Sequence, residues 1–230
     1  MKKFLLVLFS IISISYNLNA ASGSADTYTV TMLKVELCTE VTCASTTEVA
    51  SGTQGVNIAG LNPGAEAAKF GSTSGLPIGT TFTHLRVTLD RTFTIKGSVN
   101  VSGDNHCSTD GSTEAKASSL HTGTLATNGT AADTSDTTLY LADADSYGSD
   151  SSITIAYGTP TYAISMAVGA PLQTQVQLIY ALTSSYTVGI MAPKIKISFD
   201  TSKGLGAGID GGNNCLMWPE EPVVTISLTE

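Results

Sequence analysis

Four cysteines carry the most definite chemistry in this sequence: Cys38, Cys43, Cys107 and Cys215. In an oxidising compartment an even set of this size forms two disulfides, and three connectivities are open to it. Cys38 closes a strand-like run and Cys43 follows closely, so this pair is expected to clip a tight turn. Cys107 and Cys215 are then left to each other, tying a polar central stretch to the segment before the last strand. Zinc is the competing chemistry. The C-x4-C spacing and the lone His106–Cys107 pair suit it poorly.

The remaining reactive residue types form no motif that dictates a reaction. Gly71-Ser-Thr-Ser-Gly75 has the outline of a nucleophile elbow but places Thr where the nucleophilic Ser belongs. His84 falls on the outward face of an alternating run, while His106 and His121 lie in polar sequence, so all three are expected at the surface. Asp143-x-Asp145-x-x-Gly148, with Asp150 following, resembles the start of a calcium loop. Tyr147 replaces an oxygen ligand there, and Thr154 stands at the place of the bidentate Glu, so weak calcium binding competes with a plain solvated loop. No other cofactor is implied. Gly204-x-Gly206-x-Gly208 lacks the helix that a phosphate loop requires and is expected to be a flexible turn. Trp218, the only tryptophan, is either a stacking platform for a ligand such as a glycan or a buried residue packed on the neighbouring disulfide. The Thr-x-Thr patterns at Thr27–Thr31 and Thr92–Thr94 reflect strand propensity, since the fixed repeat period of an ice-binding solenoid is missing.

Charge narrows the partners. The net charge is −8, and charged residues make up only 13% of the chain. Phosphate backbones need clustered Lys and Arg, so nucleic acid is not an expected partner. At the N-terminus, Lys2 and Lys3 precede an apolar run from Phe4 to Ile14 and a polar stretch leading to Ala20 and Ala21. That order predicts a signal peptide, residues 1–20. Its apolar core is shorter than the ~20 residues of a membrane span, so no permanent span is expected. Loss of the leader lysines makes the mature chain more acidic still.

The elements that must position these residues are strands. Tyr28, Val30 and Met32 share one face; Leu33, Val35 and Leu37 then continue in the opposite phase, which predicts a bulge near Met32–Leu33. Further alternating runs are Thr47–Ser51, Gly55–Ala59, Leu85–Leu89, Phe93–Val101, Thr138–Ala142, Ser152–Tyr157, Thr161–Val168, Thr174–Leu182, Lys194–Asp200 and Val224–Leu228. Asp90–Arg91 is expected to turn a hairpin. Asn62-Pro63 is expected to open a short helix ending at Gly71, and 102–137 reads as a long polar loop. The expectation is all-β: an antiparallel β-sandwich of about ten strands with one short helix, forming one domain over residues 21–230. An outer-membrane barrel is disfavoured because aromatics are only 7%, too few for its girdles.

The segments Tyr28-Thr-Val-Thr-Met-Leu-Lys-Val-Glu-Leu-Cys38 and Leu76-Pro-Ile-Gly-Thr-Thr-Phe-Thr-His-Leu-Arg-Val87 resemble secreted transthyretin-like or immunoglobulin-like β domains of bacterial envelope proteins. The resemblance implies a sandwich and a cell-surface setting, and it carries over no functional residues. The terminal run around Val224–Leu228 also partly matches chaperone–usher pilins, without their C-terminal aromatic.

The functional expectation is a non-enzymatic exported structural or cell-surface protein, such as a filament or adhesin-like subunit. It would associate with itself or other envelope proteins by strand addition through Tyr28, Val30 and Met32, or through Val224, Ile226 and Leu228. The alternative is an extracellular or periplasmic glycan-binding module that uses Trp218.

Overall fold

The computed structural model describes residues 20–60, 72–113, 121–140, 155–157, 162–165 and 175–229. The fold is all-β, and its strands pair antiparallel in three sheets. The helix expected over residues 62–71 and the Asp143, Asp145 and Asp150 calcium loop lie outside the described residues. No helix among the described residues is long and apolar enough to cross a membrane.

The largest sheet is built on β2 (Thr27–Cys38) and β4 (Thr81–Lys96). Its order is β3 (Thr46–Asn57), β2, β4, β11 (Gln175–Thr187), β10 (Tyr162–Ser165) and β9 (Ile155–Tyr157); β8 (Thr137–Tyr140) pairs with the far half of β4. In β2, Tyr28, Val30 and Met32 are buried, and then Val35 and Leu37. The register shifts between Met32 and Lys34, which is the bulge that the phase change predicts.

No hairpin forms at Asp90–Arg91. β4 runs straight through it, pairing with β2 on both sides of the dipeptide and exchanging β11 for β8 on its other edge. The alternation Leu85, Val87, Leu89, Arg91, Phe93, Ile95 is unbroken, and every member is buried. Asp-Arg also lacks the Gly or Asn that a two-residue hairpin turn needs. The strand stops at Gly97, where any side chain would strike Leu205 Cδ1 at 2.6 Å. There the chain crosses into the second sheet.

That sheet has the order β1 (Ala21–Gly23), β13 (Leu205–Ile209), β14 (Cys215–Pro219), β7 (His121–Ala126), β6 (Asn105–Ser108), β5 (Ser98–Ser102). Its first and last strands lie against each other, with Gly23 closely facing Val99, so the sheet curls nearly into a roll. Two expectations are corrected here. The stretch 102–137 is not one long loop, because it contributes β6 and β7. Their polar sequences alternate too weakly to announce strands, and their ladders between β5 and β14 order them. Likewise Gly204–Gly208 is no flexible turn: β13 and β14 form a hairpin closed by Asp210, whose Oδ1 accepts hydrogen bonds from the backbone N–H of Gly212 and Asn214 at 2.8 Å.

The third sheet is a ribbon of β12 (Lys194–Asp200) and β15 (Val223–Thr229), between which the β13–β14 hairpin is inserted in sequence. Its apolar face packs on the large sheet. One apolar core joins residues of all three sheets, giving a sandwich-like arrangement.

Candidate functional site

Between the β12–β15 ribbon and the large sheet lies a cavity of about 280 Å³. The sheet supplies its floor: Tyr28, Val30 and Met32 from β2, Val87, Leu89 and Phe93 from β4, and Leu178 and Tyr180 from β11. These residues alternate along their strands, so period-two geometry delivers them to one face. The ribbon supplies the roof through Ile197, Phe199, Val224 and Ile226. Tyr28 and Phe93 meet edge to face, ring centroids 5.9 Å apart.

The rim is the segment Trp218-Pro-Glu-Glu-Pro222, which links β14 to β15. It is pinned at several points. The Tyr28 hydroxyl donates to the Glu220 backbone oxygen at 3.1 Å, the Glu220 N–H donates to Gly204 O at 2.9 Å, and Trp218 Nε1 donates to Glu220 Oε1 at 2.7 Å. Glu221 has no hydrogen-bond or ion-pair partner among the described residues, and burial pushes its carboxyl up to about 8. Burial also pushes the Tyr180 hydroxyl well above its ordinary range, so it stays protonated. The cavity is thus an apolar chamber with one neutral carboxyl at its mouth. Its described lining holds no Ser, Cys, His or Lys.

Several expected residues gather here, in a different role. Tyr28, Val30 and Met32 do not form an exposed strand edge: β2 is paired on one side by β3 and on the other by β4, so its backbone groups are already engaged. Their side chains line the cavity. The terminal strand is paired along one side by β12 and lies close to β11; Val224 and Ile226 line the cavity, while Leu228 is buried in the core. Trp218 is half-buried at the rim, on the strand face opposite Cys215, so it does not pack on the disulfide. Sequence reasoning missed Glu221, Tyr180, Phe93 and Phe199. The available signal was the pair of carboxylates set between two prolines beside the sole tryptophan.

Both disulfides form as expected. Cys38–Cys43 clips the β2–β3 turn, and Cys107–Cys215 joins β6 to β14. Such bonds persist in an oxidising, extracytoplasmic compartment.

The histidines depart from expectation. His84 is half-buried beside Thr83, and His106 faces Asn100 across the β5–β6 ladder. His121 is fully buried, 0% exposed. Its Nδ1 lies 3.2 Å from Ser112 Oγ and its Nε2 lies 3.4 Å from Asp110 Oδ1. The residue types are those of a hydrolase triad, but the ring is used the other way round, with Ser on Nδ1 and Asp on Nε2. With no exposed edge, the imidazole serves as a polar latch between β7 and the 110–112 turn.

No protein-family model matches the chain, and comparisons with curated proteins and with solved structures give no significant match. The site's chemistry therefore rests on its own geometry.

Proposed function

We propose that this chain is an exported, non-enzymatic binding protein that holds a small apolar ligand in the cavity beneath the β12–β15 ribbon. The leader-like N-terminus and the two disulfides support export. The observation that carries the reading is the cavity itself: an apolar chamber just below the ~300–1,000 Å³ range of small-ligand sites, with few polar groups set at its mouth.

This reading draws more support than glycan binding at Trp218. A glycan needs an open aromatic platform with polar neighbours, whereas Trp218 is half-buried and hydrogen-bonded to Glu220. Strand addition needs a free edge. Among the described residues β3 ends the large sheet, and β12 and β15 each carry a ladder on one side only; along β12 the exposed Lys194 and Lys196 are a device that discourages edge pairing.

The test is titration of the mature, oxidised protein with a polarity-sensitive naphthalene dye, beside a Val224→Trp variant that fills the chamber from the roof. Saturable one-site binding is expected in the wild type and loss of it in a variant of unchanged melting temperature. Absence of binding to the wild type, or equal binding to both, sinks the proposal. Light scattering on the same sample distinguishes a monomeric binder from a self-associating subunit.

A further inference from the structure

We infer that the polar end of the ligand is a cation, an alkyl- or arylammonium group held at the cavity mouth by Glu221. The inference rests on the cavity being a binding site.

Glu220 and Glu221 carry the two carboxyl groups among the described residues that line the chamber; its other polar groups are the Tyr28 and Tyr180 hydroxyls and the Trp218 indole. Glu220 is already engaged by Trp218 Nε1 at 2.7 Å. Glu221 is half-buried, lacks a partner among the described residues, and sits on a segment stiffened by Pro219 and Pro222. A desolvated carboxyl with no partner stays neutral, as its raised pKa of about 8 reflects.

The three kinds of ligand head fare differently at this mouth. An anionic head would meet two carboxyl groups in a chain of net charge −8. A neutral head could give Glu221 one ordinary hydrogen bond. An ammonium ion supplies the missing counter-charge, and Trp218 at the rim adds an aromatic face of the kind that attracts cations. As the cation docks, Glu221 gives up its proton to solvent and becomes the carboxylate partner. The apolar walls take the hydrocarbon body.

The experiment compares octylammonium, 1-octanol and octanoate by calorimetry at pH 7 on the mature oxidised protein. These three probes share one body and differ in the head. The ammonium is expected to bind at least about tenfold more tightly than the alcohol, equivalent to about 1.4 kcal/mol. Octanoate is expected to bind most weakly. In Glu221→Gln the advantage of the ammonium over the alcohol is expected to disappear. Repeating the wild-type titration in buffers of different ionisation heat is expected to show proton release with octylammonium and none with octanol, a readout that needs no variant. Equal affinity for all three heads, preference for octanoate, or ammonium binding without proton release overturns the inference and leaves the cavity reading standing. Failure of every probe to bind overturns the cavity reading itself.

Discussion

The indole of Trp218 occupies the space that a side chain at Gly206 would fill. The two residues are cross-strand partners in the β13–β14 hairpin, and a Cβ built on Gly206 would collide with Trp218 Nε1 and Cε2 and fall 2.6 Å from Glu220 Oε1. Glycine here is a packing requirement, because the cavity rim is folded down onto bare backbone.

Gly206→Val should therefore lift Trp218 off the hairpin and break its hydrogen bond to Glu220. The expected cost is about 1–3 kcal/mol, typical of overpacking. Fluorescence of the sole tryptophan should shift to the red as the ring becomes hydrated, and ligand binding at the mouth should weaken. An unshifted spectrum at unchanged stability would count against this account of the rim.

The Cys107–Cys215 bond closes a loop of sequence separation 108, against 5 for Cys38–Cys43. On chain entropy the long bridge should contribute about 5 kcal/mol and the short one about 2. Denaturant unfolding of Cys107→Ala/Cys215→Ala and Cys38→Ala/Cys43→Ala should show the first pair losing clearly more. Equal losses would mean that local geometry outweighs loop length.

Glu36 lies under the outer surface of the large sheet. Burial pushes its carboxyl up, but hydrogen bonds from Arg86 Nε and Lys34 Nζ, both at 2.8 Å, outweigh this and with their charges hold it down at about 2. A depressed carboxylate stabilises the fold above its unfolded pKa, and that contribution is lost as pH falls from about 4.5 toward 2. Glu36→Gln should cost about 2 kcal/mol at pH 7, the scale of hydrogen bonds to a charged group. Urea titrations should show the difference from wild type closing as pH falls from about 4.5 toward 2; a constant difference would exclude the ionic account.

Glu221 has the opposite sign. Its folded pKa is raised, so the folded state keeps a proton that the unfolded chain has lost. Its contribution to stability should be fully present below the unfolded value of 4.5, decline as pH rises toward about 8 and level beyond it. Glu221→Gln should remove this slope from the melting temperature between pH 5 and 8, while a matching profile in the variant would assign the slope to another group.

Most of the fold was legible because alternation is local. Tyr28 to Leu37, including the change of phase at the bulge, Lys194–Asp200 and the terminal strand all announce themselves at period two, and the two disulfides follow from parity and spacing. Where the pattern is weak, reading failed. Asn105–Ser108, His121–Ala126, Leu205–Ile209 and Cys215–Pro219 are short and either polar or glycine-rich, and they become strands because neighbours on both sides complete their hydrogen bonds. The expectation of a hairpin at Asp90–Arg91 rests on a charged dipeptide, whereas the buried alternation continues through Arg91.

By itself, then, the sequence determined an all-β chain, an even set of cysteines, its acidic balance and which faces of the main strands are apolar. Each depends on residues near one another in the chain or on simple counting. The tertiary structure alone decided that β2 is interior rather than an edge, that His121 is buried, and that the ribbon of β12 and β15 roofs a chamber with Glu221 at its mouth. Those facts depend on which distant strands become neighbours, and alternation within one strand carries no information about its partner.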